Sequence, residues 1–70
     1  MDSEIVFLVE EAPEGGYQAR ALGYSIFTEA DSLAELKEAV RDAVPCHFDG
    51  DQGRPRVIRL HFVRDEVLAL

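Results

Sequence analysis

The sequence predicts a small α+β domain with a single sheet of three antiparallel strands, one helix, and then one or two further strands. Three observations support this fold class. A short apolar run lies near the N-terminus, two later segments alternate apolar with polar residues, and one segment repeats apolar residues every three or four positions. A length of 70 residues with 47% apolar residues suits one domain, residues 1–70, in the order β-β-β-α-β.

The first three strands lie in the N-terminal half. The run Ile5–Val9 is apolar on both faces, which predicts a central strand covered by the helix on one side and by a partner or loop on the other. A turn containing Pro13 and a Gly-Gly pair follows. Tyr17–Leu22 alternates and predicts the second arm of a hairpin, and Tyr24–Thr28 predicts a short third strand.

A single helix follows, because the apolar residues after position 32 fall on one helical face. Ser32 and Glu35 form a capping-box pattern, although Asp31 competes with Ser32 as the cap. Pro45 predicts that the helix ends at Val44 or continues, kinked, to about Phe48. The residues of the predicted core-facing side are Leu33, Leu36, Val40, Ala43, Val44 and His47.

The C-terminal part predicts a fourth strand, Arg56–Val63, which alternates apolar and polar residues. This strand can return parallel to the central strand by a right-handed crossover. The last four residues, Val67–Leu70, permit a short fifth strand. The helix is expected to pack across one face of the resulting sheet.

Charge and composition restrict the classes of partner. The chain carries 14 acids and 7 bases, a net charge of −7, with an acidic body and a mildly basic C-terminal part. We therefore expect no direct nucleic-acid binding, and an acidic body favours a basic partner or simply keeps the domain soluble. No signal peptide or membrane span is evident, which predicts a cytoplasmic protein. Because a single cysteine cannot form an internal disulfide to stabilise so small a core, we expect the chain to form homo-oligomers.

The segment PCHFDGDQG, residues 45–53, is the first candidate for a chemical site. Adjacent Cys46 and His47 rarely ligate the same ion, and only the distant His61 could add to them and to Asp49 and Asp51. The two aspartates lack the remaining ligands of a calcium loop. Cys46 has no base in reach except its neighbour, so we expect it to pack as a small hydrophobe. The sequence thus predicts no metal, no cofactor and no catalytic residue.

Acids along the outer face of the helix are the second candidate. Glu35, Glu38 and Asp42 lie three and four residues apart, opposite the apolar stripe. Either these residues are a solvated face or they form a docking surface for a basic partner. Glu38 and Asp42 are like charges one turn apart, a small cost that nothing local offsets, and this favours docking.

The first two thirds of the chain, about residues 4–48, resemble the N-terminal domain of HicB-type antitoxins. The resemblance is carried by an apolar first strand, by EGGYQARALG (Glu14–Gly23), and by SIFTEADSLAEL (Ser25–Leu36) at the start of the helix. The positions that match in kind are Gly15, Gly16, Tyr17, Ala19, Leu22, Gly23, Thr28, Asp31, Leu33 and Glu35.

The chain departs from that family in three ways. Arg20 and Ala21 stand where the family has a proline ahead of its Leu-x-Gly turn, and Ala30 replaces a glycine. The family also usually carries a C-terminal DNA-binding domain, for which we expect no room here. The resemblance implies a partial ribonuclease-H-like sheet without catalytic acids that forms dimers or tetramers and neutralises a small basic RNA-cleaving toxin.

The sequence and the resemblance are consistent with two functions. One is a non-enzymatic, self-associating binding module that sequesters a small basic toxin-like protein, with Glu35, Glu38 and Asp42 as the docking face. The alternative is an oligomeric scaffold or a small-ligand binder with a site between subunits. No set of residues predicts an enzyme.

Overall fold

The computed structural model describes residues 3–48 and 54–70, which form a four-stranded sheet and one helix. In chain order the elements are β1 (Glu4–Glu11), β2 (Tyr17–Ala21), β3 (Phe27–Ala30), α1 (Leu33–His47) and β4 (Val57–Phe62). Their order across the sheet is β3-β2-β1-β4. The predicted fold class and element order are confirmed, with one strand after the helix; Val67–Leu70 form no fifth strand.

Strand β1 is central, as its two apolar faces predicted. It pairs antiparallel with β2 and parallel with β4, while β2 pairs antiparallel with β3. The side chains of Ile5, Phe7 and Val9 in β1 face the helix and are fully buried, whereas Val6 and Leu8 on the other face are half-buried. The core is completed by α1 and by small residues of β2, and its largest fully buried members are Phe7, Ile5, Leu36, Val9 and Val40.

The connection between β1 and β2 depends on two glycines. The amide of Gly15 donates to the carbonyl of Ala12, and the amide of Ala12 donates to that of Gly16, both at 3.0 Å. Gly16 has a φ of +81°, and a Cβ at this position would lie 2.7 Å from the carbonyl oxygen of Ala30. Position 16 therefore requires glycine both for its backbone conformation and for the close approach of β3.

The third strand lies two to three residues later than predicted. We expected Tyr24–Thr28, but Tyr24 lies in the loop and the strand is Phe27–Ala30. Gly23, at a φ of +84°, reverses the chain, and the amide of Ala21 donates to the carbonyl of Ile26 at 3.0 Å. This bond fixes where pairing resumes, so the loop uses aromatic and β-branched residues that alone resemble a strand.

Helix α1 begins at the predicted cap and continues through its proline. The amide of Glu35 donates to Ser32 Oγ at 3.2 Å, which is half of the predicted capping box. Of the two predicted ends, the longer one is observed: Pro45 lies inside the helix, and the Phe48 amide closes it on the Val44 carbonyl at 3.1 Å.

Candidate functional site

The three predicted acids form one stripe on the solvent side of α1. Glu35, Glu38 and Asp42 are all exposed, and their spacing of three and four residues places them on a single helical face. The buried residues of the helix lie on the opposite face, so the stripe takes no part in the core. Glu38 accepts a hydrogen bond from Arg41 Nη1 at 3.3 Å, but both side chains are about 70% exposed, so the pair restrains Glu38 only weakly.

An open groove of about 630 Å³ lies beside this stripe, between the start of α1, the end of β3 and the turn after β1. We call it the acidic groove, after the four carboxylates that line it: Glu14, Glu29, Asp31 and Glu35. Its lining also includes Tyr17 and backbone of the turn, but no lysine or arginine among the residues that the structure describes. Glu35 belongs to both features, so the acid stripe and the acidic groove form one continuous negative surface.

The other flank of α1 has the opposite charge. Lys37 and Arg41 border a smaller groove of about 250 Å³ whose apolar lining comes from Val40, Ile58 and Leu60. We call it the α1–β4 groove. It exists because the helix backbone comes closest to β3 and β2, so Ile58 and Leu60 of β4 stay only half-buried. The helix therefore separates an acidic surface from a basic, apolar one.

The segment around Cys46 forms no chemical site in its described part. The side chain of Cys46 is exposed, so our expectation that it packs as a small hydrophobe was wrong. His47 contacts Tyr24 and Phe48 edge to face, with ring centroids 5.9 and 5.0 Å apart. These ring contacts close the end of the helix over the β2–β3 loop. The other candidate ligands that the sequence analysis considered and rejected, Asp49 and Asp51, lie outside the described residues.

His61 is also separated from this segment. It lies on the face of β4 opposite Ile58 and Leu60, as predicted, and pairs in register with Leu8 on the side of the sheet away from α1. Within residues 3–48 and 54–70, no three histidines, cysteines or carboxylates lie close enough to hold a metal ion. The same residues include no helix long and apolar enough to cross a membrane.

One ion pair joins β1 to β4 on the sheet face that α1 does not cover. Glu4 on β1 accepts hydrogen bonds from the guanidinium of Arg59 on β4, through Nε and, at 3.3 Å, through Nη2. The hydrogen bond from Arg59 lowers the pKa of the Glu4 carboxyl, and the same contact raises the pKa of Arg59. This pair links the two parallel strands and leaves both groups engaged within the chain.

Sequence reasoning found the helix acids but missed the other half of the surface. Glu14, Glu29 and Asp31 come from a turn, an edge strand and the residue before the helix cap. They meet Glu35 because β2 and β3 pair, so that Tyr17 lies opposite Ala30. The Gly-Gly pair was the available signal, since it marks a turn tight enough to bring Glu14 back toward β3.

Two UPF0150 proteins are similar to this chain. A UPF0150 protein of Thermotoga maritima is 45% identical over 67 residues, which cover 96% of this chain and 93% of that protein. A UPF0150 protein of Archaeoglobus fulgidus is 60% identical over 53 residues, which cover 76% and 77%. No family model matches the chain, and no solved structure matches it significantly.

Proposed function

Because the chain belongs to the UPF0150 protein family, whose name states no activity, we propose a function from its acidic surface and its resemblance to HicB antitoxins. The protein is a non-enzymatic binding module of the cytoplasm. It self-associates and sequesters a small basic toxin-like protein. It uses no cofactor and binds no nucleic acid directly.

The observation that carries this proposal is the continuity of the acid stripe with the acidic groove. Glu38 and Asp42 extend the negative surface along the helix, and Glu35 joins it to the three carboxylates of the groove. Such a surface attracts a cationic partner and speeds its encounter, and both effects weaken with salt. The groove adds a concave shape into which a partner's lysine or arginine can reach.

The position of the surface also suits a role in binding rather than in folding. Glu35, Glu38 and Asp42 are exposed and face away from the core, and the weak Glu38–Arg41 pair offsets only part of their mutual repulsion. A partner with positive charges relieves that repulsion. The resemblance over residues 4–48 supplies the class of partner, a small basic RNA-cleaving protein.

The test compares two variants with equal net charge. The stripe variant, Glu38→Lys with Asp42→Lys, reverses the charge of two acids of the stripe. The control, Glu11→Lys with Asp65→Lys, reverses the charge of two exposed acids that border a different surface groove. Each variant and the wild type are immobilised and incubated with a cytoplasmic extract of the organism that makes the protein. Bound proteins are then eluted by a step to high salt. We expect one small basic protein from the wild type and the control, and at least about tenfold less from the stripe variant.

A functional readout completes the test. The eluted protein should cleave RNA by itself and stop doing so when the wild-type domain is added back. Equal capture by the stripe variant and the control would show that Glu38 and Asp42 are not the docking face. Recovery of the domain only with itself would remove the toxin-binding proposal.

A second candidate, an oligomeric scaffold, is favoured by one observation. Val67 and Leu68, at the C-terminal end of the chain, are 92% and 81% exposed. Exposed apolar side chains that lie next to each other can form a patch that contacts another protein. Self-association without a basic partner would support the scaffold.

A further inference from the structure

The C-terminal arm, residues 64–70, complements the α1–β4 groove. We propose that the arm of one copy of this chain adds as a strand to the free edge of β4 in a second copy, so that Leu68 and Leu70 enter the groove. This inference deepens the self-association in the proposed function and rests on it. It does not depend on the basic partner or on the acidic groove.

The arm is available for such a contact. Its last bond to the sheet comes just before it, where the amide of Val63 donates to the carbonyl of Val9 at 2.9 Å. Beyond this point the chain has no helix, strand or turn. The molecule is 52 Å long but only 23 and 19 Å across, and seven extended residues reach about 23 Å. The arm therefore extends past the end of the sheet, with Val67 and Leu68 exposed.

The α1–β4 groove has the matching chemistry. Its floor is apolar, from Val40, Ile58 and Leu60, and its rim is cationic, from Lys37 and Arg41. Arg41 already contacts Glu38 on its other side, whereas Lys37 forms no ion pair within residues 3–48 and 54–70. The groove is thus suited to a segment that carries apolar side chains next to an acid.

The arm carries these groups with the right spacing. Side chains alternate across an extended strand, so Glu66, Leu68 and Leu70 share one face with Arg64 at the start of the arm, and Asp65, Val67 and Ala69 share the other. With the first face toward the groove, Leu68 and Leu70 cover the apolar floor and Glu66 meets the cationic rim.

The free edge of β4 supplies the backbone partners. In the sheet order β3-β2-β1-β4, the outer edge of β4 faces no strand among the described residues. An extended segment can pair with such an edge through main-chain hydrogen bonds, with alternate side chains giving specificity. Because β4 and the arm are consecutive, two copies can pair antiparallel about a two-fold axis, each arm on the other's β4. The contact closes on itself as a dimer, whereas one-way addition would build an open chain.

The experiment measures the dimer dissociation constant by sedimentation and by size-exclusion chromatography with light scattering. Leu68→Asp removes two leucines per dimer from the groove and should raise this constant at least about 100-fold. Val67→Asp places the same charge one residue earlier, on the other face, and should change it much less. Both side chains are more than 80% exposed, so circular dichroism and the unfolding midpoint of the protomer should not change.

A charge exchange identifies the partner groove. Glu66→Lys and Lys37→Glu should each weaken the dimer by about threefold to tenfold, and the double variant should restore it. A monomeric wild type overturns the inference, as does an unchanged dimer in Leu68→Asp or equal losses in Leu68→Asp and Val67→Asp. Failure of the double variant to restore the dimer overturns the assignment of the groove. Binding of the basic protein to Leu68→Asp is measured in a separate experiment. Failure of the dimer proposal therefore does not imply failure of the toxin-binding proposal.

Discussion

Replacing Gly16 by alanine tests the geometry that forms the acidic groove. The new Cβ would lie 2.7 Å from the Ala30 carbonyl oxygen and 3.4 Å from the Cα of Asp31. Both contacts are with backbone, so no side-chain rotation relieves them. Gly23 is the matched control, because its φ of +84° is close to the +81° of Gly16 and a Cβ there meets nothing within 4 Å.

The control separates two contributions to the free energy of unfolding. Alanine in a left-handed conformation costs about 1–2 kcal/mol, and this cost applies at both positions. The loss of backbone entropy in the unfolded chain also applies at both, so it cancels in the comparison. The clash at Gly16 adds about 1–3 kcal/mol, as overpacking does in a close-packed interior. We therefore expect Gly16→Ala to lose about 2–5 kcal/mol, against roughly 3–5 kcal/mol for a whole domain of this size.

Urea unfolding followed by circular dichroism measures the difference. With a slope of about 1 kcal/mol per molar urea, the midpoint of Gly16→Ala should lie at least about 1 M below that of Gly23→Ala. Capture of the basic protein should fall for Gly16→Ala more than its folded fraction does, because β3 must move away from the turn. Equal midpoints for the two variants would refute the close approach of Gly16 to Ala30.

Three further predictions follow from the core, the helix cap and the ion pair. Phe7→Ala should cost about 3–5 kcal/mol and leave the chain largely unfolded by circular dichroism, whereas Phe27→Ala, at a 59% exposed position, should shift the urea midpoint little. Ser32→Ala should cost about 1 kcal/mol, measured the same way, because the first turn of α1 loses its cap. Glu4→Gln removes the partner of Arg59. Since the folded-state pKa of Glu4 lies below 4.5, the stability it adds is present above pH 4.5 and lost as the pH falls through that lower value. The urea midpoints of wild type and Glu4→Gln should therefore differ at pH 7 and converge in acid.

Local patterns were sufficient to predict most of the fold. The spacing of apolar residues placed α1, and the two apolar faces of Ile5–Val9 placed β1 at the centre of the sheet. Both features depend on burial, which the periodicity of a sequence reports directly. The β3 segment was misplaced because Tyr24 and Ile26 have strand propensity, while the pairing of Ala21 with Ile26 decides where the strand resumes. That pairing is a tertiary fact without a local signature.

The candidate site was predictable to the extent that one helix contains it. Glu35, Glu38 and Asp42 follow from helical spacing alone, whereas Glu14 and Glu29 reach the groove only through strand pairing. The exposure of Cys46 was missed because the helix continues through Pro45, which places Cys46 four residues after Asp42 on the solvent face. The periodicity predicts this exposure only when the helix is known to extend past its proline.

The parallel pairing of β1 with β4 sets an order of events during synthesis. Glu4 pairs with Val57, so the first strand made cannot complete its hydrogen bonds until the last strand leaves the ribosome. Contacts between such distant parts of a chain slow folding, because the entropy of closing a long loop is lost before the stabilising hydrogen bonds form. At a translation rate of about 5–20 residues per second, the edge of β1 that later pairs with β4 stays unpaired in the nascent chain for several seconds. During that interval the unpaired edge of β1 is open to other strands, so correct folding depends on release of the C-terminal strand.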